Sequence, residues 1–199
     1  QLSFWKAGRL LVDPCCGSGT IPIEAAMIGR NIAPGLNRKF ASQEWDIIPP
    51  EIWKEERKAA FEAIDYDADI RIEASDISGR AVEAAIENAA EAGVDDCVEF
   101  KKMDMARLTA EEEGGIIITN PPYGERIGEK KQIEAIYSAY NEFYRKNPTW
   151  SLFMVTTDKE VENKIFGRPA DRRRKLYNGR LEVCYYQFHG QKPGRKQEK

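Results

Sequence analysis

Two short motifs and two isolated acids hold most of the side chains that could do chemistry in this 199-residue chain. The first motif, Asp13-Pro14-Cys15-Cys16-Gly17-Ser18-Gly19-Thr20, puts two glycines just ahead of a run with helical apolar spacing. Glycines let a backbone approach a ligand closely, and a helix N-terminus offers N–H groups without partners. The second motif, Asn120-Pro121-Pro122-Tyr123, sets an amide, two prolines and an aromatic ring directly after an apolar run. Asp76 and Asp104 each close a further strand-like run. A carboxylate placed like Asp76 can accept both hydroxyl hydrogens of a ribose. Taken singly, each feature has an ordinary reading: Asn-Pro favours turns, and acids cap helices or occupy turns.

These groups need elements that bring them to one edge. Residues 9–14 read as a short apolar strand ending in Asp13. A glycine turn follows, then a helix opening near Thr20, with Pro22 in its first turn where a missing N–H is tolerated. The apolar positions Ile21, Ala25 and Ile28 recur at helical spacing. Residues 70–76 form a second strand. The next helix is capped by Ser78, carries Val82, Ala85, Ile86 and Ala89 as its inner stripe, and stops at Gly93. A third strand runs over 98–105, and Gly115 to Thr119 reads as a buried fourth. A helix over about 129–146 carries Ile133, Ile136, Tyr137, Tyr140, Phe143 and Tyr144, a stripe that reads as core packing with no part in ligand binding. A fifth strand spans 150–157, and Asn178-Gly179 signals a hairpin between two closing strands.

This alternation predicts an α/β fold whose ligands lie beyond the carboxyl ends of parallel strands. Residues 31–66 interrupt it. Their irregular basic stretch and a helix starting at Pro50, with Trp53, Arg57, Ala60 and Ile64 on one face, read as a partly helical insertion. The aromatics Phe40, Trp45 and Trp53 there read as packing rather than base stacking. One domain is expected over 1–190, followed by a basic, disordered tail over 191–199.

The glycine loop lacks the marks of a phosphate binder. The third glycine of a dinucleotide fingerprint is Pro22 here, and no Gly-x-x-x-x-Gly-Lys-Ser/Thr exists, so the loop reads as a nucleoside cradle. A hydrophobic fraction of 42% with 32% charged residues fits a soluble globular protein. No apolar run nears the roughly 20 residues that cross a bilayer, and no signal-peptide pattern occurs, so no membrane partner is expected. Four cysteines, two of them adjacent and none at zinc spacing, read as reduced thiols in a cytoplasmic setting. The single histidine, His189, argues against a catalytic triad or a His-based metal site, and no metal is expected. The net charge of −3 hides an asymmetry: from Lys164 onward eleven Lys/Arg face three Asp/Glu, a net of +8 that leaves −11 for the rest. That basic stretch is either a footprint for a polyanion or a solvated strand with a disordered tail.

The glycine motif resembles the first motif of class I methyltransferases that use S-adenosylmethionine, and the strand pattern matches their Rossmann-like, mostly parallel seven-stranded sheet with its C-terminal antiparallel hairpin. The resemblance implies that Cys15, Cys16, Gly17, Ser18, Gly19 and Thr20 wrap the methionine part of that cofactor, with Asp13 near its charged amino group. Asp76 would hold the ribose and Asp104 the adenine amino group, Met105 would pack on the adenine ring, and Ile77 would also border the cofactor. Asn120-Pro121-Pro122-Tyr123 resembles the catalytic motif of methyltransferases acting on a nitrogen conjugated to a π system. Such a nitrogen is a poor nucleophile because its lone pair is delocalised. In that picture the Asn120 side-chain oxygen, which also borders the cofactor, and the Pro121 carbonyl accept its two N–H groups. Tyr123 would stack on the planar substrate, typically an extruded base. No metal is required.

The closest match is narrower. Asp13 to Ala26, the 31–48 segment with Ala33-Pro34-Gly35 and Trp45, Asp76, and Asn120 through Arg126 are similar to the THUMP-associated bacterial 23S rRNA guanine-N2 methyltransferases. Relatives of these are often labelled N6-adenine-specific DNA methylases. This resemblance implies RNA, in particular 23S rRNA, as the partner. It also implies an upstream RNA-binding THUMP region absent from this chain, whose start at Gln1 reads as a cut within a longer protein. Glu125 and Arg126 would order the loop or touch RNA backbone, or else form a salt-bridged turn. DNA adenine-N6 and protein-glutamine methylation share the same nitrogen chemistry. A non-catalytic module that binds cofactor and RNA is the alternative of a different class.

Overall fold

The computed structural model describes residues 2–123 and 129–192. Its central strand, β1 (Leu11–Asp13), is buried at all three positions, as a strand covered on both faces must be. The chain continues through α1 (Thr20–Gly29), α2 (Pro50–Glu62), β2 (Ile72–Asp76), α3 (Gly79–Ala92), β3 (Val98–Lys102), β4 (Ile116–Thr119), α4 (Glu129–Lys146), β5 (Ser151–Thr156), the short α5 (Val161–Ile165), β6 (Arg172–Asn178) and β7 (Leu181–Phe188). The strands make one seven-stranded sheet in the order β3-β2-β1-β4-β5-β7-β6. The first five are parallel, and β7 runs antiparallel to both of its neighbours.

The order places the site. From β1 the chain winds outward to β2 and β3, then returns to pair β4 with the other side of β1. The loops after β1 and β4 therefore diverge and open a crevice between them. The Gly17 loop and Asn120 are adjacent for that reason, although more than a hundred residues separate them in the chain.

Apolar cores cover both faces of the sheet. On one, Tyr137, Tyr140, Phe143 and Tyr144 of α4 pack with Trp150, Leu152, Met154 and Phe188. On the other, Ile23 and Ala26 of α1 and Ala89 of α3 pack with Leu11, Ala74 and Phe153. Gly115 lies flat beneath the Trp150 ring, where any Cβ would collide with it. Ser78 caps α3 by accepting the Ala81 N–H at 3.4 Å, and Gly93 ends that helix at φ 70°. Among the described residues no helix is long and apolar enough to cross a membrane, and all four cysteines are free thiols.

Several local expectations shift. In α1 the buried face is Pro22, Ile23, Ala25 and Ala26, and Ile28 is 56% exposed. That helix is apolar on nearly every side, so spacing alone cannot choose its inner face. In α3, Val82, Ala85 and Ala89 are buried, and Ile86 is 47% exposed. The third strand ends at Lys102, so Asp104 stands past it and caps a 3-10 turn over Met105–Arg107. The hairpin turn is Gly179-Arg180: Asn178 pairs with Leu181 as the last rung, and Gly179 takes the positive φ of 61° that such turns demand. The short α5 has no clear periodicity and is not legible in the sequence.

Within 31–66, no residue of α2 is buried. Trp53 stacks on Phe40 with centroids 5.8 Å apart, and Arg57 donates to the carbonyls of Leu36 and Arg38. Phe40 and Trp53 thus pack on each other, whereas Trp45 is 56% exposed. Gly124, Glu125 and Arg126, and the tail from residue 193, lie outside the described residues.

Candidate active site

The floor of the crevice is a hydrogen-bonded set that links three elements. Asp13, at the end of β1, is 1% exposed. Its Oδ1 accepts the Cys15 N–H at 3.2 Å. Burial pushes its carboxyl up to about 7; bonds from the Thr119 hydroxyl and the Cys15 N–H oppose the rise, and the nearby Asp76 charge adds to it. Thr119, at the end of β4, in turn accepts the Tyr140 hydroxyl of α4 at 3.3 Å. The same hydroxyl lies 3.9 Å from the Cys15 Sγ, and burial drives that thiol up to about 12. Cys15 is therefore a neutral, apolar wall rather than a nucleophile.

Above this floor, the Gly17 loop is held by β2. The Asp76 carboxylate accepts the Gly17 N–H at 3.0 Å and the Ser78 N–H at 2.9 Å. Cys16 donates its N–H to the Ser75 carbonyl at 2.9 Å. The two glycines have different work. Gly17, at φ 55°, has nothing within 4 Å of where a Cβ would stand. Gly19, at φ 85°, would bring a Cβ within 3.0 Å of the Ala85 Cβ and 3.1 Å of Ile23 Cδ1. Gly19 is thus required for the close packing of α1 on α3, and only Gly17 leaves room for a ligand against the backbone.

Between the loop, β4 and α4 lies a cavity of about 530 Å³, within the usual range for small-molecule sites. Cys15, Gly17, Asp76 and Ile77 line one side, and Asp104 and Met105 another. Asn120 and Pro122 line it from the β4 end. Asp104 accepts the Ala106 N–H at 2.9 Å and stays exposed. Met105 is only 5% exposed and belongs mainly to the core beneath.

Not every expected residue reaches the cavity. Asp13 and Cys16 lie buried under the loop, Ser18 and Thr20 are exposed beside it, and Gly19 faces α3. Pro121 is buried, and Tyr123 is half-buried with a hydroxyl that finds no partner among the described residues. Conversely, Pro14, Ser78 and Ala106 line the cavity, as do Gln132, Ala135, Ile136 and Ala139 of α4. The α4 stripe is therefore more than core packing, since Ile136 belongs to it and faces the ligand space. The 132/135/136/139 spacing marks one helical face, but Gln and Ala carry no chemical signal that would single it out. Among the described residues no group of three His, Cys, Asp or Glu side chains could hold a metal ion.

The chain and its fold are similar to known proteins. YpsC of Bacillus subtilis (strain 168), provisionally named an RNA methyltransferase, is 46% identical over 197 residues, which is 98% of this chain and 51% of that protein. The ribosomal RNA large subunit methyltransferase K/L of Shewanella baltica (strain OS185) is 37% identical over 195 residues, covering 94% of this chain and 27% of its own length. The crystal structure of SMU.472, described as a methyltransferase complexed with SAH, superimposes with a TM-score of 0.91 at 46% identity, covering 97% of this chain and 51% of that one. The chain spans about half the length of the Bacillus relative. Residues 1–187 match the RMKL-like methyltransferase domain, and the chain belongs to that family.

Proposed function

We propose that this domain uses S-adenosylmethionine to methylate an exocyclic base nitrogen of RNA, with guanine N2 of 23S rRNA as the target that the motif resemblance favours. The observation that carries the reading is the meeting of Gly17, Asp76, Asp104 and Asn120 around one cavity at the β1/β4 switch point. The residues fit that cofactor. Asp76 spends one backbone bond on each carboxylate oxygen and keeps lone pairs free for ribose hydroxyls. Asp104 offers an acceptor to the adenine amino group, and Ile77, Met105 and Ile136 give its ring apolar walls. Gly17 leaves open backbone for the methionine part. Asp13 then serves indirectly, by shaping the loop from below.

When bound, S-adenosylmethionine supplies a methyl group already activated by a sulfonium, so the protein's task is positioning. Asn120 and the Pro121 carbonyl accept the two N–H groups of the target nitrogen and aim its lone pair into the cavity. Tyr123 stacks on the extruded base. The ribosomal RNA enzymes among the relatives support RNA as the substrate; an upstream THUMP region and a cytoplasmic setting belong to the same proposal on the motif resemblance.

Incubating the protein with radiolabelled cofactor and, separately, large-subunit rRNA, DNA and release factor tests the reading. Label in RNA, recovered as N2-methylguanosine after nuclease digestion, is expected. Label in protein or DNA alone would overturn it.

A further inference from the structure

The basic C-terminal third divides once its contacts are known. Lys164 pairs with Asp158 and Glu160, Arg168 with Asp171, Arg173 with Glu162 and Lys175 with Glu182. Arg172, Arg174 and Arg180 are exposed and form no ion pair among the described residues. All three lie on the β6–β7 hairpin.

The sheet register says where this hairpin stands. Thr119 lies opposite Met154, Met154 opposite Tyr186, and Tyr186 opposite Arg173. Arg174 therefore shares the rung of Asn120, three strands away, which is about 14 Å at usual strand spacing. Beyond that rung, β5 stops at Thr156 opposite Cys184, but β6 and β7 continue for three more pairs, to Asn178 opposite Leu181. The hairpin overhangs the edge of the sheet on which the cavity opens by about 10 Å. Its tip holds Arg180 and also Tyr177, a ring 64% exposed with the Lys175 ammonium 5.4 Å from its centroid.

Resting on the RNA reading above, we propose that this hairpin is a ridge that grips the RNA strand flanking the target base. Arg174 and Arg180 hold phosphates and Tyr177 receives a neighbouring base. Guanidinium forks suit phosphate oxygens, and an exposed aromatic among cations is the usual platform for an unpaired strand. An extended strand can cross from the ridge to the cavity.

The test is fluorescence anisotropy of a labelled 20-nucleotide mixed-sequence RNA between 50 and 200 mM KCl. Three forms of the 199-residue chain are compared: parent, Arg174→Ala with Arg180→Ala, and Arg145→Ala with Lys146→Ala. The last pair removes two exposed cations from the C-terminus of α4, at the opposite edge. Losing two phosphate contacts should lower the log–log salt slope by about 1.4, so the parent loses about sevenfold more affinity across this range than the hairpin variant. The α4 variant should keep the parental slope, and calorimetry should give all three the same affinity for S-adenosylhomocysteine. Equal slopes for parent and hairpin variant, or an equal fall in the α4 variant, would overturn the ridge. Methyl incorporation is read in parallel. RNA methylated with an unaltered hairpin slope overturns the ridge alone. RNA held through the hairpin with label only in protein overturns the catalytic reading alone. Tighter binding of duplex DNA than of RNA overturns both.

Discussion

The Asp76 carboxylate accepts the backbone N–H of Gly17 at 3.0 Å, across 59 residues of sequence. The same carboxylate that faces the cavity therefore also sets the height of the glycine loop, and its second oxygen orients the start of the next helix through Ser78. Asp76→Ala should lose both loop order and ribose contacts. Bonds to a charged partner are worth about 1.5–3 kcal/mol, so calorimetry with S-adenosylhomocysteine should show affinity weakened by roughly 10- to 100-fold. Unchanged affinity would reject the ribose assignment.

Asn120 is exposed at the cavity's β4 end and, among the described residues, makes no bond to the Gly17 loop. Asn120→Ala should leave cofactor affinity within a few fold and lower turnover by about 10²–10³, the usual loss for one positioned polar group at the reacting centre. Turnover equal to the parent's would remove Asn120 from the mechanism.

The glycines separate loop function from packing. Gly19→Ala combines a left-handed backbone, at φ 85°, with overlap against Ala85. It should lower the melting temperature by roughly 5–10 °C. Gly17→Ala meets no neighbour within 4 Å, so backbone strain alone should lower it by about 2–4 °C. Its larger effect should fall on cofactor affinity. The reverse ranking of melting temperatures would contradict the packing role of Gly19.

Asp13 makes stability depend on pH. Burial pushes its folded-state carboxyl up to about 7, against about 3.9 in an unfolded chain. Between these values the folded protein binds the extra proton, so this stabilising contribution is complete below about pH 4 and is lost as pH rises toward 7. Asp13→Asn keeps an oxygen for the Cys15 N–H and cannot ionise. Urea unfolding at pH 5 and pH 8 should show the parent losing more stability than Asp13→Asn across that interval, by a few kcal/mol. Identical losses would show that Asp13 stays ionised throughout.

Much of this architecture is legible before folding. The alternation of β-branched runs with amphipathic helices, the Ser78 cap, the Gly93 stop and the closing hairpin, whose turn starts at Gly179, all encode local preferences of single residues. So do the acids that follow the strands, Asp13, Asp76 and Asp104, which are legible from their residue type and their place after an apolar run. Interior facing is less legible where a helix is apolar all round, as in α1, or where a short segment such as α5 has no period to read.

Sequence by itself determined the fold class and the identities of the groups that meet at the cavity: the Gly17 loop, Asp76, Asp104 and Asn120. Their residue types and their places after strands depend only on local chemistry. Tertiary structure decided the division of labour among them. Asp13 went beneath the loop, Gly19 against α3, and one face of α4 onto the cavity. Arg174 went to the rung of Asn120 on the closing hairpin, and Arg180 to its overhanging tip. Each of these depends on which surfaces the sheet order and register bring into contact across the chain, and no local run of residues specifies that.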